Sequence, residues 1–243
     1  MALLLGITSG KGGTGKSTVS VALSLAFEKM GKSVLVIDLD EGLRCLDIFY
    51  GLEEVLVFDL ADALNKNNLE DCIYKAPSKD NIYLMPAPSK AGSIDKEKFC
   101  AVLEQLRQSY DVIILDFPAG ADFSLYEAIG KDIQYIAVCN PDNVSVRDAR
   151  VVCDNLPKTY KSPRLLLNKF DIELIRRNIY SGVDDIIDKS GLRLIGIVPS
   201  DLELNFLANT HTLKNKGRSM RAFSRIAGRL CGEDIRLPKP KKI

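Results

Sequence analysis

At 243 residues, 46% of them hydrophobic and 27% charged, the chain has the composition of an ordinary soluble globular protein with apolar material for a sizeable core. Thirty-three basic residues against 32 acidic ones leave a formal charge of +1, which excludes a global field steering the molecule to nucleic acid or membrane. The six cysteines are scattered without a C-x-x-C pair, so they read as reduced cytosolic thiols and not as a disulfide framework.

The first apolar run, "LLLGIT" (3–8), has no basic leader and runs directly into glycines, which fits a buried strand better than a signal peptide. The glycine-rich "SGKGGTGKST" (9–18) comes next, and a helix is expected from about 16 to 30. "SVLVID" (33–38) is the next strand, closing on Asp38 with Asp40 just beyond. "IYLMP" (82–86) is a strand and 95–109 a helix; "DVIILD" (111–116) ends on Asp116 and breaks through Pro118 and Gly120. Beyond 122–130, expected helical, "IQYIAVC" (133–139), "PRLLLN" (163–168) and "RLIGIV" (193–198) alternate with helices at 143–156, 172–189 and 219–231. Most of these strands are continuously apolar, which suits strands covered on both faces. Strand–helix alternation implies right-handed crossovers in an α/β fold: one doubly wound, mostly parallel sheet with helices on both faces. No internal repeat interrupts it, so residues 1–232 are expected as one domain, with 233–243 an unpacked polar basic tail. No run of 18 apolar residues occurs, so no segment is expected to span a bilayer.

Residues 10–17 fit G-x-x-x-x-G-K-[ST], placed between a strand and a helix as a phosphate-binding loop requires. Glycines let successive N–H groups curl around a polyphosphate, and the helix N-terminus adds its partial positive charge. Lys16 would reach the β- and γ-phosphates and the Ser17 hydroxyl would ligate Mg²⁺. Alone, Asp38 and Asp116 would be ordinary strand-ending acids; beside this loop they read as the carboxylates of a metal–nucleotide site.

Lys11, a second lysine in the same loop, changes the reading. "SGKGGTGKST" resembles the deviant Walker A pattern K-G-G-x-x-K-[ST] of the MinD/ParA family of P-loop ATPases. "VIDLDEGLRCLDIFYG" (36–51), "DFPAG" (116–120), "NPDNVSVRDA" (140–149) and "LIGIVPSD" (194–201) resemble the MinD branch in order, so the similarity runs to about residue 232. The resemblance implies an ATP-dependent homodimer that acts as a spatial switch for cell-division site placement, formed with ATP and dissolved by hydrolysis. Lys11 would reach across the dimer to the partner's nucleotide, as an arginine finger does elsewhere. Gly10, Gly12, Gly13, Thr14 and Gly15 would complete the cradle with Lys11, Lys16 and Ser17, and Thr18 would hold the α-phosphate. Asp40 would position the attacking water in switch I and would join Ser17, Asp38 and Asp116 around the metal. Asp38 would stand behind the metal, Asp116 would open switch II, and Asn168, Pro199 and Asp201 would recognise adenine. A MinC-like effector and a MinE-like activator come with the resemblance, as does slow, partner-stimulated hydrolysis. So does a cytoplasmic location, with the ATP-bound dimer peripheral on the inner face of the cell membrane.

Three local features pull elsewhere. "NKFD" (168–171) matches the guanine-reading N-K-x-D pattern, with Asp171 as the reader, but switch II here is D-x-P-x-G and Lys11 points to the ATPase branch, so ATP is the expected nucleotide. Arg218, Arg221, Arg225 and Arg229 fall on one helix face, the bland account of which is a solvated surface. As a basic strip they would serve the alternative, a ParA-like DNA-partition ATPase or a flagellar-number regulator of the FlhG type. The final "LPKPKKI" lacks an amphipathic membrane segment, so lipid binding by this chain is expected to be weak.

Overall fold

Period-2 alternation is hidden inside the apolar runs. In β1 (Leu3–Thr8), Leu5 and Ile7 pack into one hydrophobic cluster, while Ala2 and Leu4 enter another on the opposite face. A run that must be apolar on both sides cannot alternate, and this is why the strand reads as continuous. The computed structural model describes residues 1–65, 68–120, 123–180, 182–211 and 217–238.

Along the chain β1 is followed by α1 (Lys16–Lys29), β2 (Val34–Asp38), α2 (Leu46–Tyr50), α3 (Leu60–Asn65), β3 (Tyr74–Lys75) and β4 (Ile82–Met85). Then come α4 (Lys96–Leu106), β5 (Val112–Asp116), α5 (Ser124–Ala128), β6 (Gln134–Cys139) and α6 (Asn143–Asn155). The last third holds β7 (Arg164–Phe170), α7 (Ile172–Arg176), α8 (Val183–Ser190), β8 (Arg193–Pro199), α9 (Leu202–Asn205), α10 (Leu207–Thr210) and α11 (Arg218–Leu230). The eight strands form one sheet in the order β3-β4-β2-β5-β1-β6-β7-β8, every pair parallel except β3 with β4. The expected doubly wound α/β sheet is the fold observed. Chain order reverses around β1, so the crevice beyond its carboxyl end is where such a sheet binds ligands.

Helices α1 and α11 cover one face through Val19, Leu23, Phe27, Met220, Phe223 and Ile226, while Phe99, Leu103, Phe117, Tyr126 and Tyr135 fill the other. α11 lies so close to β8 that a Cβ on Gly196 would sit 2.3 Å from Ile226 Cγ1.

Some expectations fail locally. The helix expected over 172–189 is two helices: α7 stops where Asn178 takes φ +55°, Ile179 N–H donates back to Leu174 O at 2.9 Å, and α8 restarts after Gly182. Asn is among the few residues that tolerate this left-handed conformation, so the break has a local cause. The basic strip on α11 is shorter than its spacing suggests. Arg229 turns inward, donating to Ile195 O at 2.8 Å, Ile235 O at 2.6 Å and Arg236 O at 2.8 Å. The same bonds dock the start of the stretch expected to be an unpacked tail, while residues 239–243 lie outside the described ones. No described helix is long and apolar enough to cross a membrane.

Truncating Phe223 to Ala, in the seam between α11 and the sheet, should cost about 3–5 kcal/mol. At roughly 2–4 °C per kcal/mol for a chain of this size, thermal denaturation should show a Tm loss of about 6 °C or more. An unchanged Tm would mean that α11 does not hold the core.

Candidate functional site

Between β1 and α1 the chain turns through two left-handed glycines, Gly13 at φ +77° and Gly15 at φ +95°. Both need glycine for that reason. α4, α6, α7 and α9 each begin with an aspartate that caps the first turn, whereas α1 begins at Gly15 with no side-chain cap and no acid in its first turn. The first N–H groups of α1 are therefore left for an external anion. The loop is gripped from outside: a Cβ on Gly10 would lie 2.5 Å from the carbonyl oxygen of Asp148 in α6. Asn168 Nδ2 donates to Thr14 O at 2.8 Å, and Lys169 Nζ donates to Gly13 O at 2.8 Å. Gly12 faces open space, with no atom within 4 Å of where a Cβ would stand.

The two lysines differ in setting. Lys16 is buried at the first turn of α1, while Lys11 is exposed on the rim. Beside the loop opens a cavity of about 270 Å³, lined by Gly13, Gly15, Thr18, Asn168, Pro199 and Asp201, together with Phe49, Leu204 and Asn205. Thr14 Oγ1 and Asn168 Oδ1 are buried without a hydrogen-bond partner among the described residues. Orphaned polar atoms, an uncapped helix start and an open glycine cradle together fit a nucleotide. A roomier groove of about 940 Å³ at the amino ends of the strands has no glycine cradle and no helix start, and its Arg107 is engaged by Glu104 and Asp132, with Nε alone left without a partner among the described residues.

Parallel register sets Asp38 directly beside Asp116 at the ends of β2 and β5. Asp38 Oδ1 accepts from Asp40 N at 2.9 Å and Oδ2 accepts from Cys45 N and Leu46 N, both at 3.3 Å. Its carboxyl is raised to about 7, first by burial and then by Asp116. Asp116 Oδ1 accepts from Ser20 Oγ at 2.9 Å. Burial raises it to about 6, opposed by hydrogen bonds from Ser17 and Ser20 and by the Lys16 charge. Asp40 is half-buried: burial raises its carboxyl and Lys16 draws it back. Burial also pushes the Cys45 thiol up to about 12, which leaves it an unreactive neighbour of Ser17. Two adjacent buried carboxylates are an arrangement a nearby cation relieves. Among the described residues no three His, Cys, Asp or Glu side chains gather as a metal cluster. Magnesium here would therefore rest on the Ser17 hydroxyl, phosphate oxygens and water, with Asp38 and Asp116 behind them. The neighbouring aromatic residue holds Asp116 in place: Phe117 stacks on Tyr126 at 4.0 Å, and Tyr126 OH bonds Thr8 Oγ1 at 2.9 Å.

At the far end of the cavity the expected base readers serve the scaffold as well. Asn168 braces the loop through Thr14, and Asp201 caps α9 through Glu203 N at 3.0 Å while accepting from Ser219 Oγ. Asp171 lies outside the cavity lining and caps α7, accepting from Glu173 N at 2.9 Å. The N-K-x-D pattern thus has a structural explanation: two loop braces and a helix cap. Ser20 escaped the sequence reading although it lies one helical turn beyond Lys16. Phe49, Leu204 and Asn205 carried no sequence signal, since short helices bring them in.

A family model described as the CobQ/CobB/MinD/ParA nucleotide binding domain matches residues 5–213. The septum site-determining protein MinD of Helicobacter pylori is 33% identical over 97% of this chain and 92% of its own length. Among solved structures, the MinC:MinD cell division protein complex of Aquifex aeolicus superposes with a TM-score of 0.86 at 32% identity, over 98% of this chain and 99% of that one. MinD complexed with Mg-ADP from Pyrococcus horikoshii gives a TM-score of 0.79 at 26% identity, over 95% and 96%.

Because Asp38 and Asp116 rise from about 3.8 in the unfolded chain to about 7 and 6, the folded state holds their protons more tightly. Their contribution is fully present below about pH 4 and is lost as pH climbs through about 6 to 7. In nucleotide- and magnesium-free protein, Asp38→Asn should raise Tm at about pH 8 by roughly 2–4 °C, on the order of 1 kcal/mol, and flatten the fall above pH 5. A variant less stable than wild type throughout that range would contradict the buried-pair account.

Proposed function

The chain belongs to the CobQ/CobB/MinD/ParA nucleotide-binding family, and on that premise we propose that it is a MinD-like, Mg-ATP-dependent dimerising ATPase that switches division-site machinery in space. The observation that carries this is the split between the two loop lysines, one buried at the start of α1 and one exposed on the rim.

Lys16 and the free N–H groups of α1 hold the β- and γ-phosphates, and Thr18 reaches the α-phosphate. Ser17 would hold magnesium, which would supply charge neutralisation on the transferring phosphoryl group. Asp38 fixes the start of the segment that carries Asp40, and Asp40 orients the attacking water near Lys16. Lys11 serves the nucleotide of a second copy, so each site is completed only in the dimer, and hydrolysis removes the phosphate that joins the two. Turnover is slow alone and raised by a partner. The Aquifex relative was solved with MinC, which supports a MinC-like effector for this chain; a MinE-like activator rests on resemblance alone. The molecule works in the cytoplasm and at the inner membrane surface. The DNA-partition reading leans on the basic face of α11, and Arg229, committed to backbone carbonyls, is withdrawn from it.

Size-exclusion chromatography tests the switch. Asp40→Ala should accumulate as a dimer with ATP and remain a monomer with ADP, while Lys11→Ala should bind ADP and stay monomeric in both. Monomeric Asp40→Ala in ATP would refute the sandwich.

Base choice has a separate check. With Asp171 outside the cavity lining, ATP should displace a fluorescent ADP analogue at least about tenfold better than GTP. Equal or better competition by GTP would restore the guanine reading.

A further inference from the structure

Asp40 stands at the start of an exposed turn, where Gly42 and Leu43 face solvent and offer little packing. Its own N–H is fixed by Asp38, and the next residue is fixed by the segment that follows β4. Glu41 Oε1 accepts from Ser93 N at 2.7 Å and Ile94 N at 2.9 Å, and Oε2 accepts from Gly92 N at 3.1 Å. Three successive backbone donors converge on one carboxylate, a concave anion nest that the left-handed Gly92 (φ +77°) makes possible. Gly42 N–H donates to Pro88 O at 2.9 Å and Arg44 Nη1 reaches Ser89 Oγ at 3.4 Å, so both segments run bonded together along their length. A charged acceptor with three donors is the strongest of these ties.

We propose that Glu41 is a positioning residue for phosphoryl transfer: anchored in the Gly92–Ile94 nest, it sets the backbone immediately after Asp40 and so aims the Asp40 carboxylate at the phosphate site. This rests on the ATPase reading in which Asp40 orients the water. Catalysis of this kind depends on groups held in place before reaction, and small displacements cost rate more than binding. Glu41 touches no nucleotide in this scheme, so its removal acts on turnover and spares affinity. The loop at 92–94 is equally part of the device, although it contributes only backbone.

Single-turnover phosphate release, fluorescent-ADP affinity and Tm, measured together, test the tie. Glu41→Ala should lower the rate constant about tenfold while ADP affinity stays within about twofold. Glu41→Gln, which keeps an acceptor oxygen but loses the charge, should fall between it and wild type. Gly92→Ala strains the nest where an added Cβ meets no atom within 4 Å, and should reproduce the loss with no substitution in the Asp40 segment. The double variant should be no slower than Glu41→Ala alone. A wild-type rate in Glu41→Ala, or a rate loss matched by an equal loss of ADP affinity, would overturn the proposal. Asp40→Ala run alongside separates the premise: if it hydrolyses ATP like wild type, the role of Asp40 falls and the positioning role with it. If it is inactive while Glu41→Ala is normal, only the positioning role falls.

Discussion

Everything at the site depends on β2, β5 and β1 ending at one level. Ile7, Asp116 and Asp38 fall in register across the three strands, so the chain leaves all three in the same crevice. Parallel pairing fixes that level through backbone bonds, and a one-residue slip would exchange the side chains packed into the two hydrophobic clusters on either face. The three exits then divide the work. β1 delivers the glycine loop, β2 delivers Asp38 and Asp40, and β5 delivers Asp116.

The loop at this crevice is held by contacts that are themselves ordinary. Asn168 and Lys169 donate to loop carbonyls, the backbone of α6 presses on Gly10, and Ser20 reaches from α1 to Asp116. These bonds join protein groups to one another, yet the loop and its brace leave something open: Asn168 Oδ1 and the Thr14 hydroxyl have no partner among the described residues. A site preorganised in this way carries its polar cost in the free protein. The adjacent Asp38 and Asp116 carboxyls are the clearest instance, since burial and mutual repulsion raise Asp38 well above its ordinary range. The stability sacrificed there is what a bound cation restores.

Much of this was legible in the sequence because it is local. Continuous apolar runs, strand-closing acids and glycines before a Lys-Ser pair are features of a few consecutive residues, and the sheet, the loop and both carboxylates came from them. The features that stayed hidden required residues distant in sequence. Periodicity ran straight through Asn178, so one helix was expected over 172–189 where the chain makes two. Arg229 looked solvated because its spacing matched three other arginines, and only the approach of β8 and of Ile235 shows what it binds. The N-K-x-D pattern is the sharper case. Its residues are present and correctly placed after a strand, but Asp171 caps the helix that begins there and lies outside the cavity lining, which Asp201 joins although it too caps a helix.

The two lysines of the loop finally differ by environment more than by chemistry. Lys16, buried beside Asp116 and Asp40, acts in a medium where its charge is felt strongly, and it lowers the pKa of both acids. Lys11 is exposed, so water and salt weaken its pull on any phosphate of its own subunit. Its charge gains strength only when a second surface excludes that water. On the proposed reading, then, the isolated subunit lacks a rim lysine acting on its own nucleotide in a low dielectric. A partner copy supplies that by burying the rim, and this makes assembly a condition for charge stabilisation as well as its result.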